Sequence, residues 1–139
     1  MLVLDTNHIS VLGYARPESA RLVERLDAAA DEVVTTVISL EEQMRGWLAE
    51  INRDPNVHRQ IAAYDRLRAR VEFMAGWVML PWDQRAADLF LDLRRSGIRV
   101  GTLDLKIACI TIVREATLLT RNLTDFRGLP GLRVENWLD

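Results

Sequence analysis

The chain has a single cysteine, Cys109, in 139 residues, so no disulfide can form within it. A thiol without a partner fits a reducing compartment, and a cytoplasmic location is expected. No apolar run approaches the roughly 20 residues that span a bilayer, which leaves no membrane partner to expect. Met1 to Leu4 is too short for a signal-peptide core, and no cleavage pattern follows it. Seven glycines and four prolines, set against four tryptophans, argue against disorder. No glycine-rich phosphate loop is present: Gly97 and Gly101 do not match a nucleotide fingerprint. The two histidines, His8 and His58, stand far apart with no cysteines at zinc spacing. His8 is expected on a half-exposed surface near any pocket at the first strand. Ser39 lacks a His and Asp arrangement, so acyl transfer has no support. Lys106 is the sole lysine among 18 basic residues. Arginine suits bidentate phosphate contacts, but a GC-rich genome gives the same bias. A net charge of −2 argues against a simple nucleic-acid coating protein.

What is present is a carboxylate at the end of a buried strand. Met1-Leu-Val-Leu4 reads as a strand of a parallel sheet, and Asp5 follows it directly, where open α/β sheets place their ligand sites. The same grammar recurs in Ala116-Thr-Leu-Leu-Thr120, followed by Arg121-Asn122-Leu-Thr-Asp125. Between these ends, strands are expected at Val33–Ile38 and Trp77–Leu80, with a short fifth at Leu132–Val134. Helices are expected from Ser39 to Ile51, from Val57 to Met74, after Asp83, and from Thr102 to Glu115. In the Val57–Met74 segment, Val57, Ile61, Tyr64, Leu67, Val71 and Met74 form an apolar stripe expected to pack inward. Arg66, Arg68 and Arg70 would lie on its solvated side. Strands separated by helices predict an α/β fold, a three-layer α/β/α sandwich around a central parallel sheet of four to five strands. At this length, residues 1–139 are expected to form one domain that buries about two-thirds of its unfolded surface. The carboxyl ends of the strands then share one edge.

Four acids fall near that edge. Asp5 and Asp125 follow strands, Glu42 lies in the first turn expected after the second strand, and Asp104 opens a later helix. Each has a structural reading. Ser39-x-x-Glu42 is a capping box, Asp104 suits a helix dipole, and Asp125 after Asn122 suits an Asx-type turn. Asp5 is hardest to explain this way, because an acid directly after a buried strand is costly without a partner. Taken jointly, four repelling carboxylates point to a cation, and an oxygen-only donor set suits Mg²⁺ or Mn²⁺. Cys109, on an apolar helix face, reads as core.

The assembled segments resemble the PIN-domain ribonucleases, specifically the VapC-type toxins of bacterial toxin–antitoxin pairs. They are Leu2-Val-Leu-Asp-Thr-Asn7, Ser39-Leu-Glu-Glu-Gln-Met-Arg-Gly46, Gly101-Thr-Leu-Asp-Leu-Lys-Ile-Ala108, Leu119-Thr-Arg-Asn-Leu-Thr-Asp-Phe126 and Pro130-Gly-Leu-Arg-Val-Glu-Asn-Trp137. The resemblance implies that Asp5, Glu42, Asp104 and Asp125 form a metal cleft that hydrolyses RNA, Gly46 setting the register that selects Glu42 over Glu41. It implies Asp5 and Asp104 as direct ligands, with Glu42 and Asp125 completing the shell. Thr6, Asn7, Thr120 and Asn122 become candidates to orient the carboxylates, and Arg45, Lys106 and Arg121 to contact RNA phosphates. It also implies a homodimer and an antitoxin over the cleft, with DNA reached only through that antitoxin.

Two other functions are open to such a chain. An aspartate-based phosphatase of the haloacid dehalogenase type would use an Asp after strand one, but wants a second Asp where Asn7 stands. A catalytically silent PIN-like module would only bind an antitoxin and DNA; four gathered acids argue against it.

Overall fold

The computed structural model describes residues 1–14 and 16–139. Five strands form one parallel sheet in the order β3-β2-β1-β4-β5. They are β1 (Leu2–Leu4), β2 (Val33–Thr36), β3 (Met79–Leu80), β4 (Thr117–Leu119) and β5 (Arg133–Glu135). Six helices join them: α1 (Thr6–Leu12), α2 (Pro17–Ala29), α3 (Val37–Asn52), α4 (Gln60–Ala75), α5 (Gln84–Arg95) and α6 (Thr102–Val113). The central strand is thus the first in sequence, with both neighbours parallel to it.

Strand alternation builds the three layers. Val3 and Leu118 point into one core with Leu93 of α5 and Leu105, Ile107 and Ile110 of α6. Leu2, Leu4 and Leu119 point to the opposite core with Ile9 and Val11 of α1 and Leu22 and Leu26 of α2. Helix α6 buries Leu105, Ile107, Ala108, Cys109, Ile110 and Thr111, as expected of a helix apolar on nearly all sides. Its mid-helix Thr111 hydroxyl is satisfied by donating to the Ile107 carbonyl, 2.9 Å away. The Cys109 thiol is buried among these residues, and that burial pushes its pKa up to about 11. It is a core side chain.

Two expectations are corrected here. Helix α3 begins at Val37, and its N-cap is Thr36, whose hydroxyl accepts from the Ser39 amide. Val37 and Ile38, β-branched and read as strand, are helical because the parallel ladder ends at Thr36 and the cap turns the chain there. Ser39 occupies the third helical position, so Glu42 lies in the second turn and plays no part in a capping box. The other correction concerns α4, which starts at Gln60. Most of its apolar stripe faces outward: Val57 just before it, Ile61, Tyr64 and Val71 are exposed, Leu67 is half-buried, and Met74 alone packs into the core as expected. Only Ala63 and Met74 of α4 are buried, because α4 lies against α3 and only its C-terminal end, with Phe73 and Met74, reaches the core shared with α1 and α2. Two of the arginines turn toward α3, while Arg68 pairs with Glu72 in solvent as expected. Arg66 and Arg70 both donate to the Glu50 carboxylate of α3, at 2.7 and 2.8 Å, and Arg70 also lies over the Trp47 ring.

Candidate active site

The acids meet because β1, β2 and β4 end at one edge of the sheet. Asp5 is the N-cap of α1 and follows β1 directly, and its amide donates to the Leu119 carbonyl of β4 at 3.0 Å. One of its carboxylate oxygens accepts from the Thr6 amide and the other from the Thr120 hydroxyl, each at 2.7 Å. Asp5 is 2% exposed. Burial raises its pKa above the ordinary carboxylate value, and the bonds from Thr120 and Thr6 partly offset this.

Glu42 projects from the second turn of α3 toward Asp5. Burial, and then the charges of Asp5 and Asp104, push its pKa up to about 7. Its Oε1 is buried without a hydrogen-bond partner among the described residues, as is Oγ1 of Thr6. The Thr6 hydroxyl is near enough to both carboxylates to lower their pKa slightly, though it makes no hydrogen bond of ordinary geometry to either. Asp104, in the first turn of α6, is likewise raised by burial, then by Asp5 and Asp125. Glu41 turns away and pairs with Arg45 on the surface of the same helix. The charges of Asp5 and Asp104 act on Glu42, and those of Asp5 and Asp125 on Asp104, so the four predicted acids lie near one another, with Asp104 and Asp125 lining one cleft.

Among the described residues no three such side chains are drawn close enough to enclose an ion by themselves. The donor set nevertheless fits Mg²⁺ or Mn²⁺. Mg²⁺ is usually held by only one or two carboxylates and keeps several waters. Acids raised first by burial, and at Glu42 and Asp104 also by neighbouring carboxylates, with an unpartnered Glu42 oxygen among them, are relieved by a cation.

The residues expected to orient the acids divide. Thr6 and Thr120 touch Asp5 directly. Asn7 donates from Nδ2 to the Thr120 hydroxyl at 3.4 Å and accepts from the Arg121 amide at 3.2 Å. Asn122 acts through its backbone, its amide donating to the Thr120 hydroxyl at 3.0 Å. The three expected phosphate-binding cations are engaged elsewhere. Arg45 pairs with Glu41, Arg121 with Glu18 and Asp139, and Lys106 lies over the Trp82 ring. The cations that line the cleft beside Asp104 and Asp125 are Arg99 and Arg127. Sequence reading missed both. Their proximity to Gly97, Gly101 and Gly128 in loops was the available signal, since loops at strand ends carry sites. That cleft encloses about 640 Å³.

A family model described as the PIN domain matches residues 2–131. The chain belongs to the PIN-domain family. Two relatives place this PIN domain with the VapC-type members. Ribonuclease VapC2 of Rickettsia felis is 40% identical over 135 residues, covering 97% of this chain and 96% of the relative. The tRNA(fMet)-specific endonuclease VapC of Salmonella typhimurium is 30% identical over 139 residues, with the same two coverages. Among solved structures, DNA-bound VapBC from Salmonella typhimurium matches with a TM-score of 0.68 at 26% identity. That match covers 98% of this chain and 97% of the other. The PIN domain described here differs from the sequence reading at His8, which is fully buried and not half-exposed. It faces inward because α1 starts at Thr6 and puts Ile9 and His8 beneath the C-terminal segment, whose Trp137 amide donates to His8 Nε2 at 3.2 Å.

Proposed function

We propose that this chain, acting as one PIN domain over residues 1–139, is a metal-dependent endoribonuclease and the toxin of a toxin–antitoxin pair in the cytoplasm. The observation that carries the reading is Glu42, a carboxylate raised to about 7 beside Asp5 and Asp104, which has no structural task left once Thr36 caps α3. Asp5 and Asp104 would hold Mg²⁺ or Mn²⁺ directly, with Glu42 and Asp125 at its waters. The ion supplies charge neutralisation at the scissile phosphate and a more acidic water. The chain's own residues do the rest. Thr120 and Thr6 fix the Asp5 carboxylate. Glu42, poised near neutral pH, can accept a proton from water. Arg99 and Arg127, on the cleft wall, are the better placed candidates to hold RNA phosphates. The names of the ribonuclease relatives support RNA as substrate. The VapBC complex supports an antitoxin partner, and through it an indirect link to DNA.

The phosphatase reading needs an acid two residues after Asp5. Asn7 stands there, and a carboxamide cannot take the place of a carboxylic acid in proton transfer. The test of the proposed function is cleavage of RNA by the purified chain: Mn²⁺ or Mg²⁺ should be required, and a chelator should abolish it. Cleavage that persists with the chelator would overturn metal dependence, and no cleavage of any RNA would favour the silent module.

Homodimerisation belongs to the same reading. The exposed Val57, Ile61, Tyr64 and Val71 form the kind of apolar patch that marks an interface. Light scattering should return twice the monomer mass at micromolar concentration. A Tyr64→Glu substitution should return the monomer, and a wild-type monomer would sink the idea.

A further inference from the structure

A chain of hydrogen bonds runs behind Asp5, and every bond in it has a determined direction. The Trp137 backbone amide can only donate, and it points at His8 Nε2. That nitrogen therefore carries no proton, so the neutral ring has its proton on Nδ1. Nδ1 lies 2.8 Å from Asn7 Oδ1 and donates to it. With Oδ1 taken by His8 and by the Arg121 amide, the Asn7 amide is oriented so that Nδ2 donates to Thr120 Oγ1. Thr120 Oγ1 also receives the Asn122 amide. It is filled as an acceptor, and its own proton goes to Asp5 Oδ2. All donation thus flows from the C-terminal segment toward Asp5, and such chains polarise in the same sense along their length. The far end is anchored. Arg25 lies over the Trp137 ring and donates to its carbonyl, and the indole N–H donates to Glu135.

We propose that His8 is a positioning residue, which sets the Asp5 carboxylate from behind through Asn7 and Thr120. This rests on reading Asp5 as a metal ligand. His8 touches neither ion nor RNA. Its task is to hold the Asn7 amide, jointly with the Arg121 backbone amide, in the orientation that aims Nδ2 at Thr120. With the shorter of the two bonds gone, the amide is freer to rotate, present its carbonyl to Thr120 and turn the hydroxyl proton away from Asp5. The C-terminal segment selects the tautomer that makes this possible.

The experiment is a double-mutant cycle between the two ends, read by Mn²⁺ affinity and by kcat and KM for RNA. His8→Phe keeps a buried ring and removes both bonds. It should weaken Mn²⁺ binding and lower kcat by about tenfold each, the lower end for groups that support a metal ligand, with KM for RNA within about twofold. Thr120→Val should do the same. The double variant should be no worse than Thr120→Val alone, because both changes cut one chain. His8→Asn, which can still reach Asn7 but not Trp137, should recover most of the Mn²⁺ affinity. If His8→Phe does not fold, His8→Gln serves, since it keeps the bond to Trp137 and loses the one to Asn7. Additive losses, or wild-type Mn²⁺ affinity in His8→Phe or His8→Gln, would overturn the proposal. The metal-free protein gives an independent reading by nitrogen NMR: His8 should be protonated at Nδ1, and the Nε2-protonated form would equally overturn it. A chain that binds no Mn²⁺ and cleaves no RNA would instead defeat the proposed function, with the tautomer still deciding the hydrogen-bond chain.

Discussion

Asp104→Asn should lose most of the rise in melting temperature that Mn²⁺ gives the wild-type protein, and Asp5→Asn should lose it too. A ligand bound only to the folded state at a hundred times its Kd stabilises by about 2.7 kcal/mol. For a chain of this size that is roughly 10 °C. The two variants should part company without metal. Asp104 is held above its ordinary pKa by burial, Asp5 and Asp125, so removing its charge relieves repulsion, and metal-free Asp104→Asn should melt at or above wild type. Asp5 accepts two bonds at 2.7 Å. An asparagine there turns one acceptor into a donor, facing either the Thr6 amide or the already filled Thr120 hydroxyl. Metal-free Asp5→Asn should therefore melt below wild type. RNA cleavage should fall by about a hundredfold or more in both, as expected when several kcal/mol of charge stabilisation is withdrawn. Unchanged Mn²⁺ shifts in both variants would remove these residues from the metal site.

Glu42→Gln should separate as sharply from Glu41→Gln. Glu42 no longer has a capping role to lose, so the substitution removes only charge, and cleavage should fall by about tenfold or more. Glu41 pairs with the exposed Arg45, a type of contact worth little, and Glu41→Gln should cleave like wild type. The pH dependence of stability gives a second measurement. A carboxyl with a raised folded pKa binds more protons folded than unfolded between its two values. Stability of the metal-free protein should therefore fall as pH rises from about 4.5 to about 7, the window set by Glu42. The lost contribution is on the order of 1 kcal/mol once solvent screening of this part-exposed group is allowed for. Glu42→Gln should flatten that part of the profile in the chelated protein. The opposite ranking of cleavage, with Glu41 sensitive, would put the register off by one.

The layering was legible because it depends on short-range pattern. Val3 flanked by Leu2 and Leu4 already says that one strand feeds two cores, and Pro17, Asp83 and Thr102 mark helix starts within a residue or so. Asp5 was legible for the same reason, as a charge set against a local apolar run. What escaped depends on distant partners. His8 looked like a surface residue because the amide that holds it lies 129 positions away. The helical state of Val37 and Ile38 goes against their β preference, and tertiary context overrides such preferences. The stripe on α4 had the right period, but period does not say which side of a helix meets the sheet. That was decided by α4 lying on α3, with only its C-terminal end in the core shared with α1 and α2. Arg99 and Arg127 stand close to Asp104 and Asp125 in the chain, but a loop sequence does not say which of its side chains face the cleft.

The order of synthesis gives the pairing of β1 with β4 one more consequence. Asp5 and the Thr120 that holds it are 115 positions apart, and the strand that emerges first is the centre of the sheet. At ribosomal speeds of about 5–20 residues per second, on the order of ten seconds separates the two ends of the pocket. During that interval β1 can pair only with β2, which in turn takes β3, and the edge awaiting β4 stays open. Contacts at such separation form late. The acids therefore face one another only after Thr120 has emerged and β4 has paired, and until then a growing polypeptide on the ribosome carries the earlier acids without the cleft.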